Sequence, residues 1–182
     1  DLFLYGKVKK FSIQEEYPYI LEGGMEITYL KDKYKTYRLA QYGNFDVLIT
    51  LKGEKKIIKK DNVEVVKRNE YRLKRVFNKQ ILVDKVIVGK FVRLKKAFWV
   101  ENNQTNRVYH IAVDHSMKDN GDCLCQIEIE YAGSHNPLRI KQSKIEESIV
   151  EDIAYLSNKL KNNFKWLKNT SITKKEWISS NL

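Results

Sequence analysis

Most of the first 131 residues alternate between apolar and polar positions in short runs, the spacing of strands with one buried face. The runs are Leu48-Ile49-Thr50-Leu51, Val63-Glu64-Val65-Val66, Val86-Ile87-Val88, Phe98-Trp99-Val100, Val108-Tyr109-His110-Ile111 and Gln126-Ile127-Glu128-Ile129-Glu130-Tyr131. β-Branched and aromatic residues dominate them. Gly43-Asn44, Gly53-Glu54, Asp61-Asn62, Asn102-Asn103 and Asn120-Gly121-Asp122 supply turns between them. A meandering antiparallel sheet or barrel follows, interrupted by one short helix near residues 78–85.

The period then changes. Ser143 and Glu146 form a capping box, after which Ile145, Ile149, Ile153, Leu156, Leu160 and Phe164 recur at steps of three and four. This predicts a helix over 143–165 with one apolar face, and the outer wall of the sheet is the only large surface available to cover it. The chain therefore reads as a single α+β domain, mainly β, with strands in 1–131, a helix packed outside over 143–165, and a tail over 166–182.

Charge narrows the partners. Lys plus Arg number 34 against 23 Asp plus Glu, a net charge of +11. Nucleic acid, an anionic membrane surface and a small polyphosphate are the three classes this allows. No window reaches the length of about 18 apolar residues of a membrane span, so a soluble, cytoplasmic protein with no membrane partner is expected. Cys123 and Cys125 lack the spacing of a zinc site or an ordinary bridge and are expected to be free thiols. The phosphate loop G-x-x-x-x-G-K-[ST], the dinucleotide G-x-G-x-x-G and the G-x-S-x-G elbow are all missing from the sequence.

Parity decides which charges share a face. Ile127 and Ile129 fall on one side of their strand, Glu128 and Glu130 on the other. Two carboxylates about 7 Å apart along a strand suit a hard cation such as magnesium or manganese. Thr50 and Lys52 share a face, as do Arg68, Glu70 and Arg72, and His110 has the parity of Asp114. An interior lined by Lys and Arg with few carboxylates repels itself unless it holds an anion, together with a metal ion. That arrangement suits a triphosphate.

In their order along the chain these segments resemble the CYTH family, the triphosphate tunnel metalloenzymes. The family's opening E-x-E-x-K is similar to Gly6-Lys7-Val8-Lys9-Lys10, which keeps Lys10 and places Gly6 and Val8 at the two glutamates. Its Q-G-Y-L and T-V-R-V-R elements resemble Ile27-Thr28-Tyr29-Leu30 and Thr36-Tyr37-Arg38-Leu39-Ala40, with alanine at the second arginine. L-T-I-K-G resembles Ile49-Thr50-Leu51-Lys52-Gly53, and R-x-E-x-E resembles Arg68-Asn69-Glu70-Tyr71-Arg72, with arginine at the last acid. A basic K-x-R strand falls in Lys90 to Lys96, with Arg93 and Lys95 favoured; Val113-Asp114 and Glu128-Ile129-Glu130 resemble the V-D and E-I-E strands. Trp166-Leu167 through Thr173 and Ser180-Asn181-Leu182 resemble the family's C-terminal W-L-G and N-x-x-L pattern.

The resemblance implies a closed or nearly closed antiparallel eight-stranded tunnel. In it, Lys10, Arg38, Lys52, Arg68, Arg72, Arg93 and Lys95 hold phosphates, and Glu128 and Glu130 hold magnesium or manganese. Glu70 or Asp114 positions the attacking water of a tripolyphosphate or nucleoside-triphosphate phosphohydrolase. Without carboxylates at positions 6 and 8 the metal site is reduced and hydrolysis is expected to be weak or lost. The competing expectation is a non-enzymatic nucleic-acid-binding or assembly protein with its charge outside, along Lys55, Lys56, Lys59 and Lys60.

Overall fold

The computed structural model describes residues 11–13, 20–41, 47–76, 84–135, 142–170 and 172–180. Ten strands and two helices follow one another as β1 (Phe11–Ile13), β2 (Ile20–Lys31), β3 (Thr36–Gln41), β4 (Val47–Lys52), β5 (Lys56–Lys60), β6 (Val63–Lys67), β7 (Glu70–Val76), β8 (Val86–Asn102), β9 (Arg107–Met117), β10 (Cys123–Ser134), α1 (Gln142–Asn163) and α2 (Lys174–Ser179). Most of the short helix expected near 78–85, the Gly43-Asn44 turn, Lys10 and the Ser143 side chain lie outside the described residues.

Eight strands form one antiparallel sheet in the order β10-β9-β8-β2-β3-β4-β7, with β1 added along the far end of β8. The sheet curls into a half-barrel. The expected closed eight-stranded tunnel is thereby corrected: among the described residues neither β7 nor β10 pairs along its outer edge. Closure needs both edges to meet with a consistent tilt and stagger. The 54–67 region, expected to contribute a strand to the wall, turns away instead. β5 and β6 pair only with each other, across the two-residue turn Asp61-Asn62 in which both φ angles are positive, as a tight hairpin requires. Val63 and Val65 bury their shared face against Val150 and Ala154 of α1. The runs at Val86–Val88 and Phe98–Val100 prove to be parts of one 17-residue strand, β8, which pairs with β2, β9 and β1.

The outer face of the sheet carries the main core, as the helical period predicted. Phe11, Val100, Tyr109, Ile111 and Leu156 are buried together, with Ile127, Ile129, Ile149 and Ile153 packed around them. One buried acid fastens α1 there. Asp152 accepts from Asn102 Nδ2 at 3.0 and 2.9 Å and from Tyr109 Oη at 2.7 Å, and pairs with Arg107 at 3.6 Å. Burial and the Asp152 bond push the Tyr109 phenol up. Every partner of this network is satisfied, which is what buried polar groups require. No described helix is long and apolar enough to cross a membrane.

Candidate functional site on the concave face

Cross-strand register assigns the concave face residue by residue, because directly opposed residues share a side of the sheet. Opposed residues run Glu128–Ala112–Ala97, Glu130–His110–Trp99, Gln126–Asp114–Lys95 and Ser116–Arg93–Met25 across β10, β9, β8 and β2. The row continues through Tyr29–Arg38–Thr50–Arg72 and Thr36–Lys52–Glu70 across β2, β3, β4 and β7. The parity of Lys52, of Glu70 with Arg72, of His110 with Asp114 and of Glu128 with Glu130 therefore holds, and the register adds Arg38, Arg93 and Lys95 to the same face. Arg68 precedes β7 and joins the others by folding back onto Glu70.

The charges divide into two walls. On β3, β4 and β7, Arg68 donates from Nε to Glu70 Oε1 at 2.8 Å and also from Nη2 at 2.7 Å, and Lys52 Nζ lies 3.3 Å from the same oxygen. Arg38 Nη2 lies 3.5 Å from Thr50 Oγ1, and its Nε is buried with no hydrogen-bond partner among the described residues. Burial, then the neighbouring Arg38 and Arg68, lowers the Lys52 ammonium to about 8. Burial pushes Glu70 upward, but Lys52, Arg68 and Arg38 together outweigh it and hold the carboxyl below its ordinary range. Three cations thus face one carboxylate. Arg72 stands exposed beside Thr50 at the rim.

On β9 and β10 the sign reverses. Asp114 is fully buried, Glu128 half-buried, and between them sits Lys174 of α2, with Nζ 2.7 Å from Asp114 Oδ2 and 2.5 Å from Glu128 Oε1. Burial lifts the Asp114 carboxyl above its usual value. Burial acts the same way on Glu128, but the Lys174 ammonium outweighs it and holds that group down to about 2. Glu130 turns to His110, whose Nδ1 is 3.6 Å away and whose ring lies 4.7 Å from that of Trp99. Arg93 is buried with Nη2 3.3 Å from Met25 Sδ.

α2 covers the floor between the walls. Its start is a capping box in which Thr173 Oγ1 accepts from Glu176 N and Glu176 Oε2 accepts from Thr173 N. Ile178 buries itself among Ile27, Tyr29, Ala40 and Phe91, and Trp177 packs edge-on against Phe91. Gly89 makes room for it: a Cβ there would come within 2.6 Å of the Ile178 side chain. Lys175 donates to Thr36 Oγ1 at 2.9 Å, Lys118 donates to the Trp177 carbonyl, and Gln126 donates to the Ile172 carbonyl. Lys174 is the residue the sequence reading missed. Its signal is the Thr173-Lys174-Lys175-Glu176 box, the same S/T-x-x-E pattern that marks a helix start, followed by the apolar pair Trp177-Ile178.

Glu128 and Glu130 of β10 were the expected magnesium or manganese ligands. As arranged, this pair does not fit a divalent ion: Glu128 is engaged, together with Asp114, by the chain's own Lys174 ammonium, and Glu130 turns to His110. Among the described residues no group of three or more His, Cys, Asp or Glu side chains converges as a metal site. Cys123 and Cys125 are free and exposed. No family model matches this chain, and no curated protein or solved structure is significantly similar to it.

Proposed function

We propose that the protein binds a short phosphate-rich polyanion, a triphosphate or polyphosphate in inorganic or nucleotide-borne form, on the basic wall of its concave face. Arg38, Lys52 and Arg68 are the cations that hold it, with Arg72 and Lys175 at the margin. The supporting observation is the imbalance there: among the described residues three cations share the carboxylate of Glu70, and a buried guanidinium N–H of Arg38 has no acceptor. A phosphate oxygen supplies that acceptor and relieves the repulsion that lowers Lys52.

Binding is favoured over turnover. Glu70 bridges Lys52 and Arg68, and Asp114 faces Lys174, so neither of the acids expected to position water is left with a free role as a base. The nucleic-acid alternative has less behind it. Lys59 pairs with Glu64, Lys60 with Glu151, Lys67 with Glu146 and Lys55 with Glu176, so much of the outer lysine stripe is already matched by carboxylates.

Calorimetric titration with tripolyphosphate, alongside single-stranded and duplex oligonucleotides, tests the assignment. Saturable 1:1 binding of tripolyphosphate that weakens at least tenfold in Arg38→Ala is expected, with no phosphate released in magnesium or manganese. Oligonucleotide binding that ignores Arg38, or no binding of tripolyphosphate at all, would overturn it.

A further inference from the structure

We propose that Lys174 is a tethered counter-ion standing where a divalent cation would otherwise sit, so that the concave face carries its acidic wall, and takes up its ligand, without metal. The clause about the ligand rests on the function proposed above; the clause about the counter-ion does not.

Two strands present carboxylates to one ammonium, the buried Asp114 from β9 and the half-buried Glu128 from β10, and a cation between them offsets their repulsion. The chain provides one. Lys174 is 9% exposed, lies within 2.7 Å of both acids, and is carried by a helix fixed at several other points: the Thr173–Glu176 box, Ile178 over Gly89, Trp177 on Phe91 and Lys175 on Thr36. A metal ion entering here must expel an ammonium whose helix fills the floor of the half-barrel, and must strand that ammonium away from the two carboxylates it pairs with. With Lys174 offsetting one of the two charges, and Arg93 and Lys95 of β8 also acting on these acids, a polyanion on the facing basic wall meets less negative charge.

The experiment is a Mn²⁺ titration followed by the electron paramagnetic resonance of the free ion, on the wild-type chain, Lys174→Arg and Lys174→Met. Tripolyphosphate titrations of the same proteins are run in EDTA and in Mn²⁺. The wild type and Lys174→Arg are expected to leave millimolar Mn²⁺ free. Lys174→Met is expected to gain one Mn²⁺ site that disappears when Asp114→Asn is added. Tripolyphosphate affinity of the wild type is expected to be equal in EDTA and Mn²⁺, whereas Lys174→Met falls at least tenfold in EDTA and recovers in Mn²⁺. Mn²⁺ uptake by the wild type that Asp114→Asn removes overturns the counter-ion, as does a folded Lys174→Met that takes up none. Should Lys174→Met not fold, the wild-type arm still decides, and the neutral triple variant Asp114→Asn, Glu128→Gln, Lys174→Met must then recover the fold, since a wholly neutral cluster needs no counter-ion; a triple variant that also fails to fold counts against the assignment. The expected Mn²⁺ results with no tripolyphosphate binding by the wild type remove the proposed function and leave the counter-ion standing.

Discussion

The two walls of the half-barrel use the same elements and opposite balances. On β9 and β10 the acids Asp114 and Glu128 converge and the chain returns, 46 residues beyond Glu128, to place Lys174 between them. On β3, β4 and β7 the cations Arg38, Lys52 and Arg68 converge and receive only Glu70. The acidic wall is held by an ion pair whose removal harms the fold, although Asp114 Oδ1 stays buried without a hydrogen-bond partner among the described residues; the basic wall has its cations in excess, strained by their own repulsion and relieved by an anion. A buried charge cluster that a protein completes internally is structural, and one left incomplete in a concavity is a candidate for ligand.

The largest effect that sharpens this contrast is on stability. Lys174→Met leaves two carboxylates without their partner and is expected to destabilise by about 3–5 kcal/mol, a fall in Tm on the order of 10 °C for a chain of this size. Lys52→Met on the other wall removes a repelled, desolvated cation and is expected to leave stability unchanged or raise it. Scanning calorimetry of both variants checks the asymmetry; equal losses would break the comparison. Next comes ligand affinity, in which the ranking reverses. Lys52→Met and Arg68→Ala are each expected to weaken tripolyphosphate binding tenfold or more, because each removes a charge-assisted contact.

A smaller effect concerns alkaline pH. Lys52 titrates at about 8 when folded and at the ordinary 10.5 when unfolded. Between these values the unfolded chain binds the proton that the folded chain has released, so this group makes stability rise with pH from about 8 to 10.5. The polyanion needs the ammonium, so affinity moves the other way and declines as pH rises past 8. Urea midpoints and titrations at pH 7.5 and 9.5 read both trends, and Lys52→Met is expected to abolish both.

The smallest effect lies in acid. Glu128 is held to about 2 against an ordinary 4.5, so its stabilisation is complete above 4.5 and is lost as pH falls toward 2. Asp114, shifted upward, acts in the opposite sense and offsets part of that loss. Urea midpoints at pH 5 and 2.5 are expected to differ modestly, and the difference to shrink in Glu128→Gln.

How much of this was legible beforehand depended on the range of the interaction. Parity along single strands grouped Thr50 with Lys52, Glu70 with Arg72, His110 with Asp114 and Glu128 with Glu130, because the two-residue period is a local property of extended backbone. The register of Arg93 and Lys95 was not legible, since it depends on how β8 pairs with β2 and β9. The α1 face was visible from its spacing. Closure was not, since it depends on whether two distant edges meet, and the 54–67 region that might have helped carries an apolar pair, Val63 and Val65, that suits Val150 and Ala154 of the helix. Lys174 was hidden because nothing in its own neighbourhood announces partners on β9 and β10. The glycine in mid-strand at position 89 was the nearest hint that another segment approaches the sheet there.

The most direct test is calorimetric titration of the wild-type chain with tripolyphosphate in EDTA at pH 7, repeated with Arg38→Ala. The account predicts one saturable site in the wild type and at least a tenfold loss in the variant. Binding that needs added metal, or that Arg38→Ala leaves unchanged, would contradict it.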